Sequence, residues 1–360
     1  MKVLLINTVR FRLNGITSVI MNYFRNMDKN GLHTDFAVVN EIEDDFRNEL
    51  EGYGARVFFV DKKKKTFKYI PNLNKLLKKE RYDIVHIHGN SATMALEVIL
   101  AKINRVEKII VHVHNTTCQH PLLNKILRPV MMALATDFLA CSDAAGEWLY
   151  KKSGYTVLKN AIDVEKFQFD LGSRAELRCE LGIKDEFLIG HIGNFTEQKN
   201  HRFLINVFEE YHKNDPCSKL LLAGDGEKFE EMVQLVSEKK LSDAVIFTGN
   251  RSNPEQLYCA MDVFLLPSLW EGLPVVLVEA QASGLSCIVS DAVSKAADLT
   301  GIKFLPVDST ASWVGELERS KGVLTDREQC SERCAVKIIE AGYDIKREAE
   351  RLANFYFKTL

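Results

Sequence analysis

Two glutamates, Glu271 and Glu279, stand eight residues apart in SLWEGLPVVLVEAQASGLSCIVSD (268–291), with Gly272, Leu273 and Pro274 following the first of them. A carboxylate accepts paired hydrogen bonds from vicinal hydroxyls. A proline at a first helical position loses no needed N–H, so Pro274 predicts a helix start, and Gly284 its end. In an unbroken helix, residues 271 and 279 would lie ~80° apart and ~12 Å along the axis. Glu271 precedes the proline and is therefore expected in a loop, with Glu279 in the second turn. The N–H groups around Leu273 to Val276 would open the helix and favour an anion. Two carboxylates would repel a phosphate placed between them, so their expected partners are the hydroxyls of a sugar beside it. The plain alternative is a loop glutamate and a helix-surface glutamate with no ligand.

A second group lies in GHIGNFTEQKNHRFLI, where Gly193 ends a strand and Lys199 precedes a helix. Glycine lets backbone approach a ligand, and lysine is a mobile point charge for phosphate. A turn glycine and a solvated lysine would look the same. In IIVHVHNTT, His114 falls at a strand end, as do His86 and His88 in DIVHIHGN. Histidine there can orient a hydroxyl or take a proton, although a strand histidine is more often structural. The three alternate with apolar residues and have no carboxylate nearby, which argues against a metal centre. Gly15, in RFRLNGITSV, opens a helix without G-x-G-x-x-G, so a dinucleotide fingerprint is absent and GDGE (224–227) does not restore it.

These residues need strand ends to hold them. Short apolar runs alternate with helical stretches: KVLLIN, TDFAVVN, RVFFVD, DIVHIHG, KIIVHVHN and DFLACSD in the first half. The alternation restarts with FLIGHIGN, SKLLLAGDG, AVIFTGN, DVFLLPS and SCIVSD. This pattern predicts two doubly wound α/β domains joined near 161–185. We set them at 1–165 and 166–340, with a tail helix over 341–360. Ligands of such sheets lie beyond the carboxyl ends of the strands, so the site is expected in the cleft between the domains.

Composition agrees with a globular chain large enough for two domains: 360 residues, 46% hydrophobic and 27% charged. Eight scattered cysteines suit a reducing, cytoplasmic setting. No run is long enough to span a membrane, and the opening MKVLLINTVRFRLNG is too briefly apolar for a signal peptide. Residues 1–160 carry 24 Lys and Arg against 16 Asp and Glu, and the remainder 23 against 33. The basic half suggests an anionic partner. Nine basic residues fall within 62–81, interleaved with Phe67, Tyr69, Ile70, Leu73, Leu76 and Leu77. That stretch reads either as a peripheral anchor on anionic lipid or as a solvated helix face. No nucleic-acid module accompanies it.

The set EGLP-x4-E, LLPS, AQASG, HIGNFTEQKN, LLLAGDGE, VIFTGNRSN and VLKNAIDVEKF resembles the retaining GT-B glycosyltransferases of the family-4 type. The resemblance runs over the whole chain and is stronger in the second half. It implies transfer of a hexose from a nucleotide-diphosphate sugar, UDP-sugar foremost, to a glycan or lipid-linked glycan in capsule or exopolysaccharide synthesis, without cofactor or metal. By this resemblance Glu279 holds the ribose and Glu271 the donor sugar, with the Gly272, Leu273, Pro274 and Val275 backbone near sugar and phosphate. Lys199 and Gly193 meet the diphosphate, as does Gly15 from the first domain. His114 lies near the reaction centre, Asn250 and Arg251 near the base, and Tyr356 on a last helix returning to the first domain. One departure is Asn194, where the family often has Arg; Arg251, Arg10 or Arg12 would have to replace that guanidinium. Residues 10–15, 86–90 and 114–124 are expected on the acceptor side. The competing readings are a non-catalytic partner subunit and a sugar-nucleotide epimerase of the same fold.

Overall fold

The structure is a computed structural model that describes residues 1–360 except 13, 40, 61–65, 152–153, 272, 322–325 and 359–360, and the backbone alone of 66–67. It divides into two compact units, Met1–Ala161 with Ile345–Leu360, and Ile162–Asp344. The first crossing of the chain between units thus lies four residues before the expected 165/166.

The first unit contains seven parallel strands: β1 (Lys2–Asn7), β2 (His33–Val38), β3 (Val57–Phe59), β4 (Ile84–Gly89), β5 (Lys108–Val113), β6 (Asp137–Ala140) and β7 (Thr156–Val157). Their order is β3-β2-β1-β4-β5-β6-β7. Every residue of β4 and β5 is buried, as continuous apolar runs in a sheet covered on both faces should be. The helices between them are α1 (Gly15–Asn26), α2 (Asp44–Gly52), α3 (Thr66–Glu80), α4 (Ala95–Ile103), α5 (Pro121–Leu134) and α6 (Asp143–Tyr150). Asn14 caps α1 by accepting from the Thr17 N–H, and Ser142 caps α6 through Ala145.

The second unit holds six parallel strands: β8 (Phe187–Ile192), β9 (Ser218–Ala223), β10 (Val245–Gly249), β11 (Val263–Leu266), β12 (Ser286–Ser290) and β13 (Lys303–Leu305). Their order, β10-β9-β8-β11-β12-β13, reverses direction between β8 and β11. Its helices are α7 (Leu171–Glu180), α8 (His201–Asn214), α9 (Phe229–Glu238), α10 (Pro254–Ala260), α11 (Val275–Ala282), α12 (Thr310–Lys321) and α13 (Arg327–Glu340). The expected doubly wound pair is what the chain forms. The final helix, α14 (Ile345–Phe357), belongs to the first unit, where Ile345, Ala349, Leu352, Ala353 and Tyr356 are buried at helical spacing.

Three elements differ from the sequence reading. Helix α11 begins at Val275, with Pro274 as its extended N-cap rather than its first helical residue. Gly284 ends it in the left-handed region at φ +67°, where an added Cβ would sit 2.8 Å from the Ser331 nitrogen. Helix α5 was not among the expected elements; Pro121 sits at its start, where a proline costs no hydrogen bond, and Pro129 lies inside it. In α3 the interleaved apolar residues Tyr69, Leu73, Leu76 and Leu77 are core. Among the described side chains of that apolar set only Ile70 is exposed, so they form no continuous apolar face. Residues 62–65 and the Phe67 side chain lie outside the described residues.

Candidate active site

A sheet that reverses direction leaves a crevice where neighbouring strands send their chains to opposite sides. In the second unit that point lies at the carboxyl ends of β8 and β11. The loop after β8 carries Gly193, Asn194 and Lys199, and the loop after β11 carries Glu271, Leu273 and Pro274. The two loops are tied together: Leu269 N donates to Gln198 O at 2.8 Å, Gln198 Nε2 to Trp270 O at 2.8 Å, and Asn200 Nδ2 to Pro267 O at 3.3 Å. Across them Lys199 Nζ meets Glu271 Oε1 at 2.6 Å, both side chains only 15% and 11% exposed. Ser268 Oγ also donates to Glu271, at 3.3 Å. The lysine is thus held by the carboxylate eight residues before Glu279. Gly272, the residue between Glu271 and Leu273, lies outside the described residues.

Glu279 lies in α11, whose first turn has no acidic residue. Its Oε2 accepts from the Tyr258 hydroxyl at 2.7 Å. Burial pushes its carboxyl up to about 7; the Tyr258 hydrogen bond and the charge of Lys166 pull the other way. A half-buried carboxylate that already accepts one hydroxyl has lone pairs for further donors, such as the hydroxyls of a diol.

The floor of the site rests on the glycines of GDGE, to which the sequence reading gave no structural role. Gly224, at φ +137°, is placed so that a Cβ would lie 2.2 Å from the Gly193 oxygen. A Cβ on Gly226 would lie 2.6 Å from Phe195 O. Gly193 N donates to Ala223 O, and Gly224 N to Gly249 O, both at 2.9 Å. GDGE therefore shapes the Gly193 turn; a glycine pair directly after a strand was the available signal. Two further residues were missed. His191 Nδ1 bonds Leu265 O at 2.8 Å, and the His201 ring stacks on Phe195 at 4.0 Å. Burial lowers both, His191 to about 4 and His201 to about 2, so both are neutral beneath Lys199.

Arg251 does not reach this loop as a substitute for the arginine missing at Asn194. Its guanidinium makes a two-point bond to Glu180, at 2.8 and 3.2 Å, and a 3.3 Å bond to Asn253. Asn250, next to it at the end of β10, is exposed, as is Asn194.

The remaining expected residues belong to the first unit. Gly15 is the first residue of α1, and a Cβ there would meet nothing within 4 Å. Nothing in the fold demands glycine at that point. Arg10 and Arg12 are exposed. His114 follows β5 and is one of four histidines on adjacent strands, with His88 opposite His112 in register. They bond diagonally: His86 Nε2 to His112 Nδ1 at 3.3 Å, and His88 Nδ1 to His114 Nε2 at 3.0 Å. His86 Nδ1 continues to the Tyr356 hydroxyl at 2.7 Å. Burial holds His86, His88 and His112 well below the usual range and His114 at about 3. His114 is thus neutral and only a weak proton acceptor, and its buried Nδ1 has no partner among the described residues.

Ligand atoms of His86, His88 and His112 lie within 4.8 Å of one another. Both His86 nitrogens are engaged, by Tyr356 and His112, and His88 Nδ1 bonds His114, while His112 Nε2 has no partner among the described residues; the donor set is wholly neutral. A buried divalent ion there would have no compensating charge.

Residues 173–302 match the glycosyl transferases group 1 family, and residues 13–166 match glycosyltransferase family 4. The chain is 30% identical over 361 residues to "Putative glycosyltransferase EpsF" of Bacillus subtilis, covering 95% of this chain and 93% of that one. It is 29% identical to an Escherichia coli UDP-Gal:α-D-GlcNAc-diphosphoundecaprenol α-1,3-galactosyltransferase, over 81% and 79% of the two chains. Anabaena HepE, solved with UDP and glucose, superposes with a TM-score of 0.82 over 99% of each chain at 16% identity. That last likeness shows the fold, GT-B.

Proposed function

Since the chain belongs to the GT-B glycosyltransferases of the family-4 type, we propose that its second unit binds the nucleotide-sugar donor of a transfer reaction in polysaccharide or lipid-linked glycan synthesis. The finer reading is a retaining transfer of a hexose from a UDP-sugar, independent of metal. One observation carries it: Lys199 and Glu271 are joined across the two loops of the β8/β11 switch point, and Glu279 lies on α11, which begins where the second loop ends.

On this reading Glu279 takes the ribose diol, for which its near-neutral pKa leaves it able to give up a proton when two hydroxyls bond to it. The diphosphate meets Lys199, the α11 N-terminus, and the Gly193 and Asn194 backbone. Positive charge and N–H dipoles there stabilise the departing nucleoside diphosphate without proton transfer. Glu271 keeps the Lys199 amine in place and offers its second oxygen to the sugar. The Asn250 and Arg251 turn is the base end. In the first unit Gly15 and His114 are the proposed ligand-facing groups, one through open backbone and one through the unpartnered Nδ1. A lipid-diphosphate glycan is the proposed acceptor, supported by the name of the E. coli relative.

The test is direct. Purified protein is incubated with UDP-galactose, UDP-glucose or UDP-N-acetyl sugars and an undecaprenyl-diphosphate-linked acceptor. The expected product is an α-linked extension formed in the presence of chelator; a β-linkage or an absolute metal requirement would remove the finer reading.

A further inference from the structure

The outer face of α5 is apolar where a surface helix is ordinarily polar. At 100° per residue, Lys125, Pro129, Leu122, Ala133, Ile126, Val130 and Leu123 follow one another around an arc of about 160°. All seven are exposed, Leu122 at 73% and Ile126 at 61%. Only Lys125 among them is polar. The inner face is docked: Asn124 and Met131 are buried, and Asn124 Oδ1 accepts from the Ala92 N–H at 2.7 Å. A scattered exposed leucine needs no explanation, but a continuous apolar strip does.

We propose that α5 lies on an anionic lipid bilayer, with Leu122, Leu123, Ile126 and Val130 in the acyl boundary and Lys125 and Arg128 at the phosphates. Charge selects this occupant. Between Glu107 and Asp137 the chain has no acidic residue, so the helix itself carries no carboxylate to oppose an anionic surface. A second copy of the chain is a poorer fit, because a two-fold contact along this helix would gather the Lys125 and Arg128 charges of both copies with no carboxylate on either helix to pair them. One helix face about 18 Å long is also small beside the roughly 800 Å² per partner of a stable dimer. With 14 residues, α5 can lie on a bilayer but not cross it. The basic exposed side of α3, with Lys68, Lys75, Lys78 and Lys79, adds charge in the same unit without apolar area. This places the lipid-facing surface on α5, which starts at Pro121, rather than on the basic run at 62–81, and it stands whatever the donor or acceptor.

The experiment is vesicle co-sedimentation of the full chain with phosphatidylcholine alone or with about one third phosphatidylglycerol, together with velocity sedimentation without lipid. Wild-type protein should bind the mixed vesicles and bind pure phosphatidylcholine more weakly. Leu122→Ser/Ile126→Ser should lower the partition about tenfold or more, with an unchanged thermal melt because both positions are exposed. Lys125→Glu/Arg128→Glu should remove the preference for phosphatidylglycerol. An Ile126→Trp reporter should shift to the blue on adding mixed vesicles. Absence of vesicle binding by wild-type protein, equal binding by the serine variant, or a dimer that the serine variant dissociates would each overturn the proposal. Donor binding, measured on the same samples, is expected to be unaffected and so reports separately on the second unit.

Discussion

Glu279 is the residue at which electrostatics and ligand chemistry meet most closely. Its folded pKa is raised to about 7 by burial, whereas an unfolded glutamate titrates near ~4.3. Between those values the folded chain holds the extra proton, so stability falls as pH rises through that window and the cost is complete above 7. Glu279→Gln should therefore stabilise the protein at pH 8 by ~1–2 kcal/mol and do little at pH 4, read by denaturant unfolding at both. Binding a diol favours the ionised form, so UDP affinity of the wild type should weaken below pH 7, by up to ~tenfold per unit, and that slope should vanish in the Gln variant. Titration calorimetry at pH 6 and 8 checks it. Lys199→Ala behaves differently. It leaves Glu271, 11% exposed, without its cation, so lost turnover should come with a lowered melting temperature. Lys199→Ala/Glu271→Ala should recover stability but not turnover, since the buried charge goes with its partner.

Among the elements, the turns after β8 and β9 depend on each other. A Cβ at Gly224 would lie 2.2 Å from the Gly193 oxygen, a backbone atom that cannot swing aside. Gly224→Ala should cost about 2 kcal/mol or more and disturb the diphosphate loop while leaving the first unit's melting unchanged. Gly15→Ala makes the contrasting case. With nothing within 4 Å of the new methyl, the thermal melt should stay the same or rise slightly, because alanine is the better helix residue. Reduced turnover in that variant would be the mark of a ligand passing close to the α1 start; unchanged turnover would remove Gly15 from the site.

For the whole molecule the division into units sets which pieces fold. The segment Ile162–Asp344 holds a complete six-stranded sheet. Expressed alone, it should unfold cooperatively and bind UDP. The first unit is assembled from both ends of the chain. Tyr356 bonds His86, Lys108 Nζ donates to Phe355 O, and Ile345, Ala349 and Leu352 are buried. Removing 345–360 should therefore lower the first unit's transition, seen by calorimetry, while the second unit's stays in place.

The sequence by itself determined eleven of the thirteen described strands, missing β7 and β13, and with them the parallel two-sheet architecture, because continuous apolar runs such as KIIVHV fit a sheet buried on both faces. It also determined the pairing of a Pro-headed helix with the EGLP glutamates. It could not tell which apolar residues would be core. Tyr69, Leu73, Leu76 and Leu77 were left between a lipid-facing element and a solvated helix face and became interior, while PLLNKILRPVMMAL, which holds two prolines, became the helix with an exposed apolar face. Nor could it show that Arg251 is committed to Glu180, that His114 is neutral in a four-ring array, or that GDGE supports the Gly193 turn. Periodicity records which side chains share a face of their own element. Only packing between elements distant in sequence decides which face meets water, which charges meet each other, and how far burial moves a proton.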